Sequence, residues 1–147
     1  MLKILTKSFI ELSTKELYDI LQLRAEVFVG EQNCVYQDID VKDQKALHII
    51  GFKNDKIVAY SRIFKQGDYF EKASIGRVVV AINERKFGYG HVIVKKSIEA
   101  VRKHFNETSI KISAQLYLKN FYESHGFIQV GEGCLEDGIP HIGMIKN

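Results

Sequence analysis

The chain has 147 residues, 46% of them hydrophobic and 27% charged, with a formal net charge of +3; that excludes disordered and fibrous classes and implies one domain, 1–147, with a real core. Lysines and arginines form no block of five or more, so charge gives no reason to expect nucleic acid. No stretch nears the roughly eighteen apolar residues of a membrane span, and MLKILTKSFIELS lacks a signal-peptide core with a small-residue cleavage site, so the expectation is a cytoplasmic protein, monomer or homodimer, without membrane or nucleic-acid partners.

Leu2 to Ile10 mixes apolar and polar residues and ends before Ser13-Thr14-Lys15-Glu16, a hydroxyl residue three before a glutamate, which predicts a capping box. Leu17, Ile20, Leu21, Val27 and Phe28 then recur at helical spacing, predicting an amphipathic helix to about Gly30. Arg24 falls inside that apolar stripe and needs an anionic partner, because an unpaired buried charge is costly. Glu31, one or two turns on, is the partner expected. Ala46 to Phe52 and Ile57 to Phe64 predict two antiparallel strands joined at Lys53-Asn54-Asp55-Lys56. Ile75 to Ile82, with three consecutive valines, predicts a central strand covered on both faces. Asn83 to Gly90 follows as a loop, and Val94, Ile98, Val101 and Phe105 mark one face of a helix ending near Asn106. The last third predicts a strand at Ser109 to Ala114, a short helix at Leu118 to Ser124, and strands near Phe127 to Gly131 and Ile139 to Ile145. The sum is an α/β protein with a mixed sheet of about seven strands flanked by helices.

Arg85-Lys86-Phe87-Gly88-Tyr89-Gly90 lies between the valine strand and the helix. Glycines there remove Cβ obstruction, so backbone N–H groups can turn toward a diphosphate while the helix start adds partial positive charge. Neither the dinucleotide-binding nor the P-loop fingerprint fits. The segment reads R-x-x-G-x-G and resembles the pyrophosphate signature of the GNAT acetyltransferase superfamily, with Val78-Val79-Val80 at the position of its cofactor-facing strand. Phe121-Tyr122-Glu123-Ser124-His125-Gly126-Phe127 resembles the LYxxxGF block of the same proteins. Three further blocks, Leu23 to Gln32, Tyr36 to Asp40 and Asp137 to Met144, are similar to the ElaA family of GNAT proteins. Ile82 and Gln115 depart from the proline and asparagine that many members carry.

The resemblance implies the GNAT fold, with a central strand, glycine loop and helix forming the cofactor site, and transfer of an acetyl group from acetyl-CoA to an unidentified primary amine in a ternary complex. It assigns cofactor contacts to Val78, Val79, Val80, Arg85, Lys86, Phe87, Gly88, Tyr89, Gly90, His91, Gln115 and Asn120. Tyr122 is the candidate general acid for the leaving thiolate, since a phenol can donate a proton. His141 is the first candidate base, because imidazole titrates in the useful range, with Glu31 and His48 as rivals. Direct attack needs no covalent enzyme intermediate, so no nucleophilic triad is required. No metal is expected: histidines 91, 104 and 125 lack metal-site spacing, and Cys34 and Cys134 stand in no CxxC or CxH pattern. Two other readings share the fold: a sensor that holds acetyl-CoA without turnover, and an enzyme resembling acyl-homoserine-lactone synthases in the Arg24 to Gln32 block.

Overall fold

A computed structural model describes residues 2–147. It contains a seven-stranded sheet of β1 (Lys3–Ser8), β2 (Leu47–Lys53), β3 (Lys56–Phe64), β4 (Ala73–Val80), β5 (Ile110–Gln115), β6 (Ile128–Glu136) and β7 (Ile139–Lys146), in the order β1-β2-β3-β4-β5-β7-β6. All neighbours are antiparallel except β4 and β5. That pair is bridged by helix α2 (Tyr89–Phe105), the long crossover that parallel strands require. Helices α1 (Thr14–Arg24) and α3 (Lys119–Glu123) complete the fold. Among the described residues no helix is long and apolar enough to cross a membrane.

Strand alternation builds two cores, one on each face of the sheet. Ile49 and Val80 join the cluster with Ile93, Val94 and Val101 of α2, while their neighbours Ile50 and Val79 join the cluster with Ile20 and Leu23 of α1. The capping box forms as the sequence predicts: Ser13 Oγ accepts the Glu16 N–H at 3.0 Å, and the Glu16 carboxylate accepts the Ser13 N–H at 2.9 Å. The β2–β3 hairpin turns through Asn54 (φ 51°) and Asp55 (φ 65°), the paired positive φ of a two-residue turn matched to strand twist.

Other expectations need correction. Part of the mixed Leu2 to Ile10 segment is edge strand β1. The helix predicted to reach Gly30 is α-helical only to Arg24; residues Ala25–Glu31 form a π-helix, a register that apolar spacing does not encode. The strand expected to stop at Gly131 runs on to Glu136 and turns through Asp137 (φ 51°) and Gly138 (φ 79°). That Asp-Gly pair is a hairpin signal in its own right.

Candidate active site

β4 and β5 pair only at Ala73–Ile110 and Ser74–Lys111, and then part. A register shift in the β3–β4 ladder between Tyr60 and Arg62, with Arg77 at φ 51°, marks a bulge that bends β4 at this point. Past the bulge, Ala81 donates its N–H to the Val58 carbonyl at 2.8 Å. Alternation therefore turns the N–H and C=O groups of Val78 and Val80 to the edge that β5 has left. Arg85 Nε reaches the Val80 carbonyl from that side at 3.2 Å.

The gap opens into a cavity of about 850 Å³. Its wall includes Val78, Val79, Val80, Arg85, Gly88, Gly90, His91, Gln115, Tyr122, His141 and Glu31. Four of the cofactor contacts named from the sequence lie outside that wall. Tyr89 is buried in the core of the α2 face. Phe87 is half exposed, with the Lys53 ammonium 4.0 Å and the Lys86 ammonium 5.3 Å from its ring centroid, so Lys86 rests on an aromatic face. Asn120 is exposed on α3.

Residues Ile82–Phe87 form a 3₁₀ turn that ends at Gly88 in the left-handed region (φ 73°, ψ 20°), and α2 begins at the next residue. A Cβ on Gly88 would meet no atom within 4 Å, so its glycine requirement is conformational. At Gly90 a Cβ would stand 3.5 Å from the Phe121 ring. Arg85 forms a two-pronged pair with Glu31, both contacts 2.6 Å. This overturns the expected Arg24–Glu31 pair. The Arg85 guanidinium also holds the Glu31 carboxyl below its usual range, the wrong direction for a base.

Arg24, fully buried, turns instead toward the loop after the π-helix. It contacts Asp38 and Asp43 at 2.8 Å each. Arg62 joins Asp43 (2.9 Å) and Asp40, and Arg77 joins Asp38 (2.8 Å) and Asp40 (3.5 Å). Three arginines and three aspartates thus alternate in a closed ring that pins the loop to β3 and β4. Burial pushes the Asp43 carboxyl up, but Arg24 and Arg62 override it and leave it below its ordinary value. Asp40 is lowered too, the Arg62 and Arg77 charges outweighing its burial. Arg62 and Arg77 were not foreseen. Arg62 inside the apolar run Ile57 to Phe64 was the available signal, raising the same question as Arg24.

His48 belongs to this ring's surroundings and not to the cavity. Its Nε2–H donates to the Asp43 carbonyl at 3.0 Å and its Nδ1 accepts from the Tyr60 hydroxyl, so the rival base has both nitrogens occupied. His141 differs: its Nδ1–H donates to the Ile139 carbonyl at 2.8 Å, which fixes the tautomer and leaves the Nε2 lone pair free. Tyr122 is buried, with no hydrogen-bond partner for its hydroxyl among the described residues, and burial raises its pKa well above the phenol value. Gln115 exchanges amide hydrogen bonds with Gln32 at 3.0 and 3.2 Å, tying the end of β5 to the end of the π-helix. His91 and His125, whose sequence spacing suggests no shared site, meet with Nδ1 and Nε2 2.9 Å apart.

A sheet parted at its parallel pair, with a left-handed glycine and a helix start at the open end, is an acyltransferase architecture. Residues 13–147 match the model of the acetyltransferase (GNAT) domain. The chain is 49% identical to Protein ElaA of Escherichia coli strain K12 over 138 residues, 92% of this chain and 90% of that protein. The crystal structure of E. coli ElaA gives a TM-score of 0.92 at 45% identity, covering 100% of both chains. A crystal structure described as an acyl-CoA N-acyltransferase from Pseudomonas aeruginosa gives 0.94 at 37% identity, again over 100% of both. The chain belongs to the GNAT acetyltransferase family, and it is an acyltransferase.

Proposed function

We propose that the protein transfers the acetyl group of acetyl-CoA directly to a primary amine while both occupy the cavity. The parting of β4 from β5 carries the proposal, because it leaves strand-edge polar groups of Val78 and Val80 without a ladder partner beside the glycine turn. An extended pantetheine arm can add there as a strand would. Arg85, the amides of Gly88 to Gly90 and the positive end of α2 fit the diphosphate at the adjacent end.

The chemistry then falls to few groups. His141 Nε2 takes the proton from the substrate ammonium, and the freed nitrogen attacks the thioester carbonyl carbon. A backbone N–H of β4 stabilises the charge that develops on the carbonyl oxygen. As the C–N bond forms and the C–S bond breaks, the Tyr122 hydroxyl donates toward the departing sulfur, and the second proton, shed by the acylated nitrogen, restores the phenol. Its raised pKa keeps that proton in place at neutral pH. The sensor reading is disfavoured, because Tyr122 and His141 both line one open cavity, whereas a pure binding module needs no acceptor space.

Calorimetry tests the cofactor site. Gly88→Asp puts a carboxylate at a left-handed position facing the proposed diphosphate, and Gly88→Asn puts a neutral isostere that tolerates the same φ. The expected result is that Asp weakens acetyl-CoA binding at least about tenfold more than Asn, the scale of one charged contact. Equal affinities would overturn the site.

A further inference from the structure

The far end of the cavity has a chemistry of its own. Lys111, Ser113 and Gln115 stand on one side of β5, while Ile110, Ile112 and Ala114 are buried in the core on the other. At about 3.3 Å per residue, Lys111 lies about 13 Å along the strand from Gln115, and the β7 partner of Gln115 is His141. Lys42 and Lys111 wall a second cavity of about 390 Å³, which shares Tyr69, Phe70, Ser113 and Glu136 with the first. The Lys111 ammonium is 5.0 Å from the Phe70 ring centroid and that of Lys42 is 5.6 Å from the Tyr69 centroid. Neither lysine forms an ion pair among the described residues. Glu136 accepts the Ser113 hydroxyl midway along this path.

We infer that the acceptor is an extended ω-amino carboxylate, its amine at His141, its carboxylate at Lys42 and Lys111, and its methylene chain along Tyr69 and Phe70. The inference rests on the transferase reading and adds the acceptor's shape. The charges order the corridor: Glu136, midway, draws the ammonium past the lysines toward His141, and the lysines hold the anion behind it. Length matters equally. In an α-amino acid the amine and carboxylate share one carbon and cannot reach both ends, whereas a terminal amine several bonds from the carboxylate can.

A thiol-release assay with acetyl-CoA and paired acceptors tests this. The wild-type protein is expected to favour ω-aminohexanoate or ω-aminooctanoate over the matching alkylamine by about tenfold or more in kcat/KM, as one charge-assisted contact supplies, and over glycine by more. In the Lys42→Ala/Lys111→Ala variant the preference ratio falls toward one. Lys111→Glu shifts the preference to the matching diamine, an outcome that general damage to the fold does not produce. Equal turnover of amino acid and alkylamine by the wild-type protein overturns the inference and leaves the transferase standing. No thiol release with any of these amines, although acetyl-CoA binds, overturns the inference as well, and the transferase reading is then decided separately with further amines that carry no carboxylate.

Discussion

The two sides of the cavity differ in where their charged and backbone groups find partners. On the side of the 38–43 loop, Arg24, Arg62 and Arg77 meet Asp38, Asp40 and Asp43 in a ring that leaves every carboxylate paired, with Arg62 Nε the one fully buried side-chain polar atom among the described residues that has no partner. On the β4–β5 side, Val78 and Val80 present backbone groups without a strand partner, the Val80 carbonyl being met by the Arg85 side chain instead, the Tyr122 hydroxyl has no partner among the described residues, and His141 keeps one nitrogen free. Buried polar groups are normally satisfied within the fold. The first side therefore reads as scaffold, and the second as surface that folding leaves for a substrate to complete. Damage to the ring should cost stability, and damage to the wedge should cost activity at nearly constant stability.

Acid attacks the ring from its negative half and should give the largest effect. Asp40 and Asp43 both have folded pKa values below the ordinary 3.8. Their stabilisation is complete above that unfolded value and is lost as pH falls through the lower folded ones. The urea midpoint is expected to fall steeply below about pH 4, and a midpoint that stays level there would contradict the ring's role. Next in size, Arg24→Ala leaves Asp38 and Asp43 buried without one of their cations. The expected cost is about 3–5 kcal/mol in urea denaturation, the range for breaking a buried pair.

Tyr122→Phe probes the other side. The hydroxyl has no partner to lose among the described residues, so the variant should keep its stability to within about 1 kcal/mol. Its kcat should nevertheless fall about a hundredfold, the lower range for losing a positioned proton donor. Single-turnover measurements separate that loss from slow product release, and an unchanged chemical step would reduce Tyr122 to a packing residue against Phe121 and Phe127.

How legible these two sides were in the sequence follows from the range of the interactions that make them. The capping box at Ser13, the Asn54-Asp55 turn and the glycines at 88 and 90 depend on residues a few positions apart, and each could be read directly. The ring joins residues 14, 19 and 39 positions apart, which only the folded topology brings together. The need of Arg24 for an anion was visible, but Glu31, the carboxylate one or two turns on, was the wrong one. The π-helix turns residues 25–31 by a changed hydrogen-bond register, and Glu31 therefore faces Arg85. Motif resemblance also named one continuous block of contacts without separating side chain from main chain. Tyr89 stands between two wall glycines, yet its side chain packs into the core. Even so, the wedge was the more legible side, because its parts follow one another as strand, turn and helix.

The smallest expected effect concerns a charged contact that joins the two sides. Glu31, at the end of the π-helix, occupies Arg85 with both oxygens, and both side chains are partly exposed. An exposed pair of this kind contributes no more than about 1 kcal/mol to stability, even with good geometry. In Glu31→Gln the fold should therefore be unaffected within the error of denaturation measurements. The guanidinium, however, no longer has to leave a carboxylate to meet a phosphate. Acetyl-CoA affinity is expected to rise about two- to fivefold, the same fraction of a kilocalorie read from the ligand's side. Salt dependence sharpens the measurement: the gain should shrink as ionic strength rises, because both contacts lie where water screens them. Weaker binding in Glu31→Gln would mean that Glu31 holds Arg85 in the orientation the diphosphate needs, and would move this residue from competitor to support.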